Sequence, residues 1–265
     1  MLFRSRVRDK QPFRVGLQVD NERPPSVGAY QVLANLADLN LTGHSDPLTV
    51  TYGIVNGGTG GWDATPGDNI EAGYQVPVTP LDTTVRFYGD RHNYAIIEEP
   101  FNALDITSDS YRVGVLVRQP LYRTANREFA LSASFERRHS ETELKGVPFP
   151  ITPGSVNGEI NLYVLRLAQE WSDRGAQHVL ALRSTINIGL NIGDATDDGT
   201  DRDAQFVSWL GQAQYVRRLF GTPTLLVLRT DVQWTDDRLL SPEQFSLGGA
   251  QRGRGYREEI GRAHV

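Results

Sequence analysis

The sequence contains no cysteine, a single methionine and no long apolar run. Without cysteine the chain can form no disulfide, which suits either a cell-envelope protein or a protein that needs no cross-link. The densest apolar stretch, residues 225–228, is followed closely by Arg229 and Asp231, whereas a membrane-spanning helix needs about 18 or more apolar residues. The sequence therefore excludes a transmembrane helix. It does not exclude membrane-spanning β-strands, which alternate apolar and polar residues and keep the mean hydropathy low, here −0.39.

Basic residues are also too few and too dispersed for a nucleic-acid surface. The 27 lysines and arginines are outnumbered by 32 aspartates and glutamates, and the net charge is −5, whereas binding to a phosphate backbone needs clustered positive charge. We therefore predict no nucleic-acid partner.

Metal and catalytic sites are excluded by spacing. Histidines are scattered, and the adjacent His139, Ser140 and Glu141 cannot contact one another as a catalytic triad. Five aspartates lie close together in the sequence but lack the spacing of a twelve-residue calcium-binding loop. We therefore predict that they belong to a solvated surface loop; they are Asp194, Asp197, Asp198, Asp201 and Asp203. We predict no enzyme activity, no cofactor, no metal site and no small-molecule substrate.

The two ends of the chain differ from the rest. The N-terminus has no apolar core of about 7–15 residues, as an export signal requires, and residues 1–5 and 259–265 resemble translated adapter sequence. We expect residues 6–258 to be genuine sequence, cut at both ends from a longer gene.

Period-two alternation recurs along the chain and predicts β-strands. Glycine and aromatic residues are abundant, with 26 Gly, 10 Tyr, 10 Phe and 4 Trp, as suits twisted sheets. The clearest segment is 180–192, where Leu182, Ile186 and Ile188 oppose Arg183, Thr185 and Asn187. Similar alternation begins at Phe13, Leu48, Ile70, Tyr111 and Phe129, and less regular strands are predicted near 28–37, 82–90, 158–171, 203–217 and 223–235.

The lengths of strands and links favour a membrane barrel. The predicted strands run about 9–14 residues, as needed to cross a bilayer at a tilt, whereas strands of soluble sandwiches run about 5–6. Long links at 56–68, 89–108, 139–157 and 193–201 alternate with mostly short ones, as surface loops alternate with periplasmic turns. We predict an all-β fold: an antiparallel transmembrane β-barrel of which about eleven strands are present, forming an open sheet.

The strongest motif follows the last predicted strand. Residues 247–256 read Leu-Gly-Gly-Ala-Gln-Arg-Gly-Arg-Gly-Tyr. Glycine lets the backbone fold tightly, and Arg254 offers a planar fork of donors for a carboxylate. The segment suits an inward-folding loop, although composition alone fits a flexible surface loop better. It is no phosphate-binding loop, because it lacks the Gly-Lys-Ser/Thr ending.

This motif resembles the sixth surface loop of two-partner-secretion transporters, the TpsB family within the BamA superfamily. The matching residues are Gly248, Gly249, Arg254, Gly255 and Tyr256, while Arg252 and Gly253 depart from the usual Ser/Thr and Val. Upstream of this motif, the similarity to the family continues, in the same order along the chain, at Asp20-Asn21, Gly28, Leu41-Thr42-Gly43 with Asp46-Pro47-Leu48, residues 74–77 and Arg86-Phe87-Tyr88.

The resemblance implies a barrel of roughly sixteen strands, with POTRA domains upstream and the last strands downstream of this chain. It implies that an unfolded exoprotein, TpsA-like, passes through the pore, that Arg254 points into the lumen towards an acidic residue on a later strand, and that outer-membrane lipid surrounds the barrel. The residues expected to line the pore are Arg14, Glu71, Arg112, Arg118, Glu136, Arg183, Arg229 and Asp231. Two alternatives stay open: a passive outer-membrane channel, and a soluble β-sandwich such as a carbohydrate-binding module.

Overall fold

A computed structural model describes residues 11–21, 23–56, 62–199, 202–219 and 224–245. These residues form β-strands joined by turns and three short 3-10 turns, at Pro25–Val27, Phe101–Leu104 and Ser241–Glu243. No described helix is long and apolar enough to span a bilayer. The strands are β1 (Phe13–Asp20), β2 (Gln31–Asp38), β3 (Leu48–Asn56), β4 (Trp62–Pro77), β5 (Thr84–Ala95), β6 (Ile106–Arg123), β7 (Arg127–Leu144), β8 (Val147–Pro148), β9 (Glu159–Arg174), β10 (His178–Leu190), β11 (Val207–Arg218) and β12 (Leu225–Thr235).

The strands make one antiparallel sheet in sequence order, and the two-residue β8 pairs only with the end of β7. Within the described part of the chain, β1 pairs only with β2 and β12 only with β11, so the sheet is open. The eleven long strands and the open sheet confirm the prediction of a partial barrel. Consecutive strands are neighbours because each link is a hairpin connection that returns the chain antiparallel.

The two faces of the sheet separate as the alternation predicts. One face, here called the apolar face, carries large hydrophobic side chains that no other layer covers: Leu17 is 77% exposed, Ile186 45% and Trp234 62%. The opposite, polar face carries the charged residues. The register places apolar residues beside apolar residues, as in Val15 opposite Leu36 and Leu182 opposite Trp171. An uncovered apolar face rules out a sandwich of two sheets and suits a lipid contact.

Aromatic rings lie near both borders of the apolar face. Near one end of the strands, Phe135 stacks on Tyr163 with ring centroids 6.3 Å apart, and Tyr111 stacks on His139 at 4.9 Å. Near the other end, the centre of the Trp171 ring lies 6.5 Å from that of Tyr122 and 6.4 Å from that of Phe129. Along β6, the twelve residues from Tyr111 to Tyr122 span about 25–30 Å when the strand is tilted, which is the height of a membrane-embedded band.

Successive links lie at alternate edges of the sheet, and the four longest, 21–30, 96–105, 145–158 and 191–206, share the edge here called the long-link edge. One edge has the links 39–47, 78–83, 124–126, 175–177 and 219–224, and the other has 21–30, 57–61, 96–105, 145–158 and 191–206. The predicted long link at 56–68 is wrong, because β4 already begins at Trp62, and those at 89–108 and 139–157 are shorter than predicted because β5 and β7 continue to Ala95 and Leu144. Strands that continue beyond the apolar band lose the alternation, since both faces then meet water.

The main hydrophobic cluster lies on the polar face near the long-link edge. It joins alternate residues of β9 to the link before β11 and to the segment after β12: Ile160, Leu162, Val164, Ala204, Phe206, Leu239 and Leu240. Chain that follows β12 therefore covers part of the polar face.

Candidate functional site

The polar face carries a row of charges that crosses four strands. Glu170 on β9 is the direct cross-strand neighbour of Arg183 on β10, followed by Gln212 on β11 and Asp231 on β12. Because cross-strand neighbours on one face lie close together, residues far apart in sequence form one surface. A cavity of about 460 Å³ opens over this row.

Ion pairs tie this charge row together. Arg118 Nε lies 2.8 Å from Glu170 Oε2, and its Nη2 lies 2.5 Å from Glu128 Oε1. Arg183 Nη1 lies 3.6 Å from Glu170 Oε1, while Gln212 donates to Asp231 at 3.0 Å. Arg229 Nε lies 3.4 Å from the Asp231 carboxylate. The structure thus brings together four predicted residues, namely Arg118, Arg183, Arg229 and Asp231.

A second group, here called the clasp, consists of Glu136, Arg138, Arg166 and Glu243. Arg166 Nη2 lies 2.6 Å from Glu136 Oε1 and 2.7 Å from Glu243 Oε1. Arg138 Nη1 lies 2.6 Å from the same Glu243 oxygen. The side chains of Glu136 and Glu243 are only 3% and 4% exposed. Two buried carboxylates therefore face two guanidinium groups, and the charges balance.

Hydrogen bonds around the clasp satisfy its remaining polar groups. The Tyr88 hydroxyl donates to Glu136 Oε2 at 2.8 Å, and Arg166 Nη1 donates to the side-chain oxygen of Asn187 at 2.7 Å. Asn187 in turn donates to the Ser208 hydroxyl at 3.1 Å. Buried charges persist only when such partners surround them.

The clasp holds the segment 236–245 across the polar face. Arg138 also donates to the Pro242 carbonyl at 2.6 Å, and Gln233 donates to the Glu243 carbonyl at 2.9 Å. Leu240, which is fully buried, packs into the hydrophobic cluster beside the clasp. The chain leaving β12 is thereby fixed over β7 and β9, with β10 and β11 lying between in the sheet.

Of the other predicted residues, Glu136 belongs to the clasp and Arg112 borders it through Tyr88, whereas Glu71 and Arg14 stand apart from both groups. Arg112 pairs with Asp90 at 2.6 Å, and its guanidinium carbon lies 5.7 Å from the centre of the Tyr88 ring. Glu71 is exposed on the polar face of β4 as the cross-strand neighbour of Asp90, and Arg14 is exposed on the edge strand β1. Neither Glu71 nor Arg14 joins the charge row or the clasp.

The Gly-rich motif lies outside the described residues. This holds for Gly248, Gly249, Arg254, Gly255 and Tyr256. The direction of the Arg254 side chain therefore stays a prediction.

Sequence reasoning missed Arg138, Arg166, Glu170 and Glu243. Arg166 and Glu170 alternate with apolar residues along β9, but Ile160, Leu162 and Val164 on the same face obscure that alternation. Glu243 lies in a 3-10 turn whose local sequence carries no sign of a partner.

A compact turn closes the opposite edge of the sheet between β2 and β3. The buried Asp46 accepts hydrogen bonds from the backbone amides of Thr42 and His44 and from the Tyr74 hydroxyl, the last at 2.7 Å. Burial alone would raise the pKa of Asp46, but these hydrogen bonds hold it well below its usual range. Gly43, with φ +91°, and Ser45, with φ 59°, supply the left-handed backbone that folds the turn around this carboxylate.

The sequence of residues 5–263 matches the family model "haemolysin secretion/activation protein ShlB/FhaC/HecB". The chain belongs to this family. A curated relative of this ShlB/FhaC/HecB chain is the outer membrane transporter CdiB of Dickeya dadantii (strain 3937), 24% identical over 252 residues that make up 94% of this chain and 43% of the relative.

Solved structures share the fold of this ShlB/FhaC/HecB family member. CdiB from Escherichia coli superposes with a TM-score of 0.81 at 22% identity, over 95% of this chain and 46% of that one. CdiB from Acinetobacter baumannii superposes with a TM-score of 0.70 at 14% identity, over 94% of this chain and 43% of that one. The chain thus spans less than half the length of each relative. Family and fold together place it in the bacterial outer membrane.

Proposed function

We propose that the full-length protein secretes an unfolded partner exoprotein, of the TpsA type, through the pore of its barrel. The observation that carries this proposal is the polar face, on which paired charges and a bound segment face away from an apolar, lipid-compatible surface. A hydrated pore lined by both positive and negative side chains suits the passage of an extended polypeptide. Neither sign of charge dominates, so the wall does not bind one type of side chain of the passing chain tightly.

The predicted residues take the role of pore lining in this proposal. Arg118, Arg183, Arg229 and Asp231 contribute to the charge row, and Arg112 and Glu136 lie further along the same face. Arg14 and Glu71 extend the lining towards the first strand.

The segment 236–245 serves as the base of a gate. The clasp holds it over the polar face, and residues 247–256 follow immediately with the Arg-Gly-Tyr motif. A loop anchored at its base remains near the pore, so that Arg254 can reach carboxylates on the strands that complete the barrel.

The test is secretion by the full-length transporter carrying Arg254→Ala. We expect less partner exoprotein in the culture medium with an unchanged amount of folded barrel in the outer membrane. Folding is judged by the heat-dependent shift in electrophoretic mobility that folded barrels show. Arg252→Ala is the matched control, because it removes an arginine from the same loop at a position where the family resemblance does not require one, and it should secrete normally.

Two results would count against the proposal. Normal secretion by Arg254→Ala would remove the motif from the mechanism. A passive channel would instead show changed ion conductance in planar bilayers, with no secreted protein depending on the gene.

A further inference from the structure

Two arginines lie at the border of the apolar face where the strands approach the long links. Arg91 on β5, Tyr111 on β6 and His139 on β7 are successive cross-strand neighbours. One step further into the band, Val113 neighbours Arg137, which neighbours Tyr163. All six side chains share the face that carries the exposed hydrophobic residues. The guanidinium groups therefore face the surrounding lipid rather than the pore.

Aromatic rings fix the position of Arg137. Its guanidinium carbon lies 5.9 Å from the centre of the Tyr111 ring and 5.6 Å from that of Tyr163. Tyrosines of membrane barrels lie at the level of the lipid headgroups. Val113, in the same cross-strand row as Arg137, is 50% exposed and begins the apolar band. Arg137 thus lies where the acyl chains meet the headgroups.

Both arginines are oriented by acids but keep free donors. Arg137 Nη2 donates to Asp194 at 2.6 Å, and Arg91 binds Asp109 through Nε and Nη2. In the described part of the chain, Nη1 of neither arginine donates a hydrogen bond, and the Arg91 side chain is 61% exposed. Asp109 lies one row further out from the membrane than Arg91. The acids therefore hold the guanidinium groups and leave their Nη1 groups free.

We propose that Arg91 and Arg137, with Tyr111 and Tyr163, bind a phosphate of the phosphorylated glucosamine lipid that forms the outer leaflet of the outer membrane. Arginine suits this ligand because its planar donors match phosphate oxygens and its weak hydration tolerates the border of a membrane. A phosphate at this level would accept hydrogen bonds from the Nη1 groups that the two acids leave free. The inference rests on the proposed function and on the prediction from the sequence that the long links lie at the cell surface.

The test measures thermal unfolding of the full-length transporter in zwitterionic detergent with added lipid A. We expect bisphosphorylated lipid A to raise the unfolding midpoint and its phosphate-free form to do so much less. The double variant Arg91→Gln, Arg137→Gln should require an about tenfold or higher lipid concentration for the same shift, because both charge-assisted hydrogen bonds to the phosphate are lost.

Matched variants separate this site from general effects of charge. Arg127→Gln removes an arginine from the same face of β7 at its other end, where it pairs with Asp173 at 3.4 Å, and should respond like the wild type. Arg91→Lys with Arg137→Lys keeps both charges without the planar donors and should bind with intermediate strength. Heat-dependent electrophoretic mobility checks that each variant is folded, and the Lys pair carries the test if the Gln pair does not fold.

Several outcomes would overturn the proposal. These are an equal lipid A response in the wild type and in the folded arginine variants, an equal response to phosphatidylglycerol, or the same shift with inorganic phosphate alone. The secretion assay is independent of this measurement. A wild-type transporter that secretes normally but shows no response to lipid A would remove only the lipid site, and a wild-type response to lipid A without any secreted partner would remove only the translocation proposal.

Discussion

Replacing Glu243 by Gln should release the segment 236–245 from the polar face while leaving the sheet intact. Glu243 is the only residue of the described part of this segment that places a carboxylate between Arg138 and Arg166. The amide keeps the shape of the side chain but removes its charge. Glu136 would then face two guanidinium groups alone, and its distances of 3.4 Å to Arg138 and 2.6 Å to Arg166 show that it does not bind both equally well.

The expected cost follows from the burial of the clasp. Removing one partner from a buried ion pair costs about 3–5 kcal/mol, because the remaining charge stays desolvated. The side chains of Arg138 and Arg166 are 23% and 20% exposed, so water can reach them in part and the lower end of the range, about 3 kcal/mol, applies. Such a loss makes opening of the segment about two orders of magnitude more frequent.

Hydrogen–deuterium exchange of the full-length transporter measures this opening directly. The amides of Glu243 and Gln244, which donate to the carbonyls of Leu240 and Ser241, should exchange about a hundredfold faster in the variant. Glu128→Gln is the control, since it removes a carboxylate of the charge row on the same face and should leave these amides protected. Unchanged protection in Glu243→Gln would refute the idea that the clasp holds the segment.

Two further predictions concern the sheet and its turn. Val117→Lys, on the apolar face about midway between Tyr111 and Tyr122, should destabilise the membrane-inserted fold by about 2–4 kcal/mol. Gln214→Lys, on the polar face, should cost little free energy of unfolding. Denaturant titration in lipid vesicles measures both costs, and equal costs would contradict the assignment of the two faces. Asp46→Asn should lower the thermal midpoint at pH 7, and the difference from the wild type should begin to shrink below about pH 4 and keep shrinking as the pH falls towards the lowered pKa of the folded state, because the charge stabilises the fold fully only above its unfolded pKa. A pH-independent difference would show that charge is not the cause.

Regular alternation made the strands and their faces predictable. In β10, Leu182, Ile186 and Ile188 lie on one face because side chains of a strand alternate, and no distant residue is needed to decide this. The ends of β4, β5 and β7 could not be predicted from the sequence, because the polar residues beyond the apolar band fit either a strand or a loop.

Contacts between distant segments could not be predicted from the sequence. Thr185 and Asn187 belong to the wet face by alternation, yet they are only 4% and 3% exposed. The clasp joins residues about a hundred positions apart, Arg138 and Glu243, and local patterns carry no information about such pairs. Four members of the charge row, Arg118, Arg183, Arg229 and Asp231, were predicted to share one face, but Glu170 was not, and the pairing depends on register, which a single sequence does not supply.

The secreted proteins of cells with and without the complete gene test the central claim most directly. Quantitative mass spectrometry of the culture medium should show one exoprotein whose amount depends on the gene, restored by the wild-type transporter and reduced with Arg254→Ala. An identical set of secreted proteins in both cells, together with a change in the uptake of small solutes, would contradict translocation and identify a passive channel.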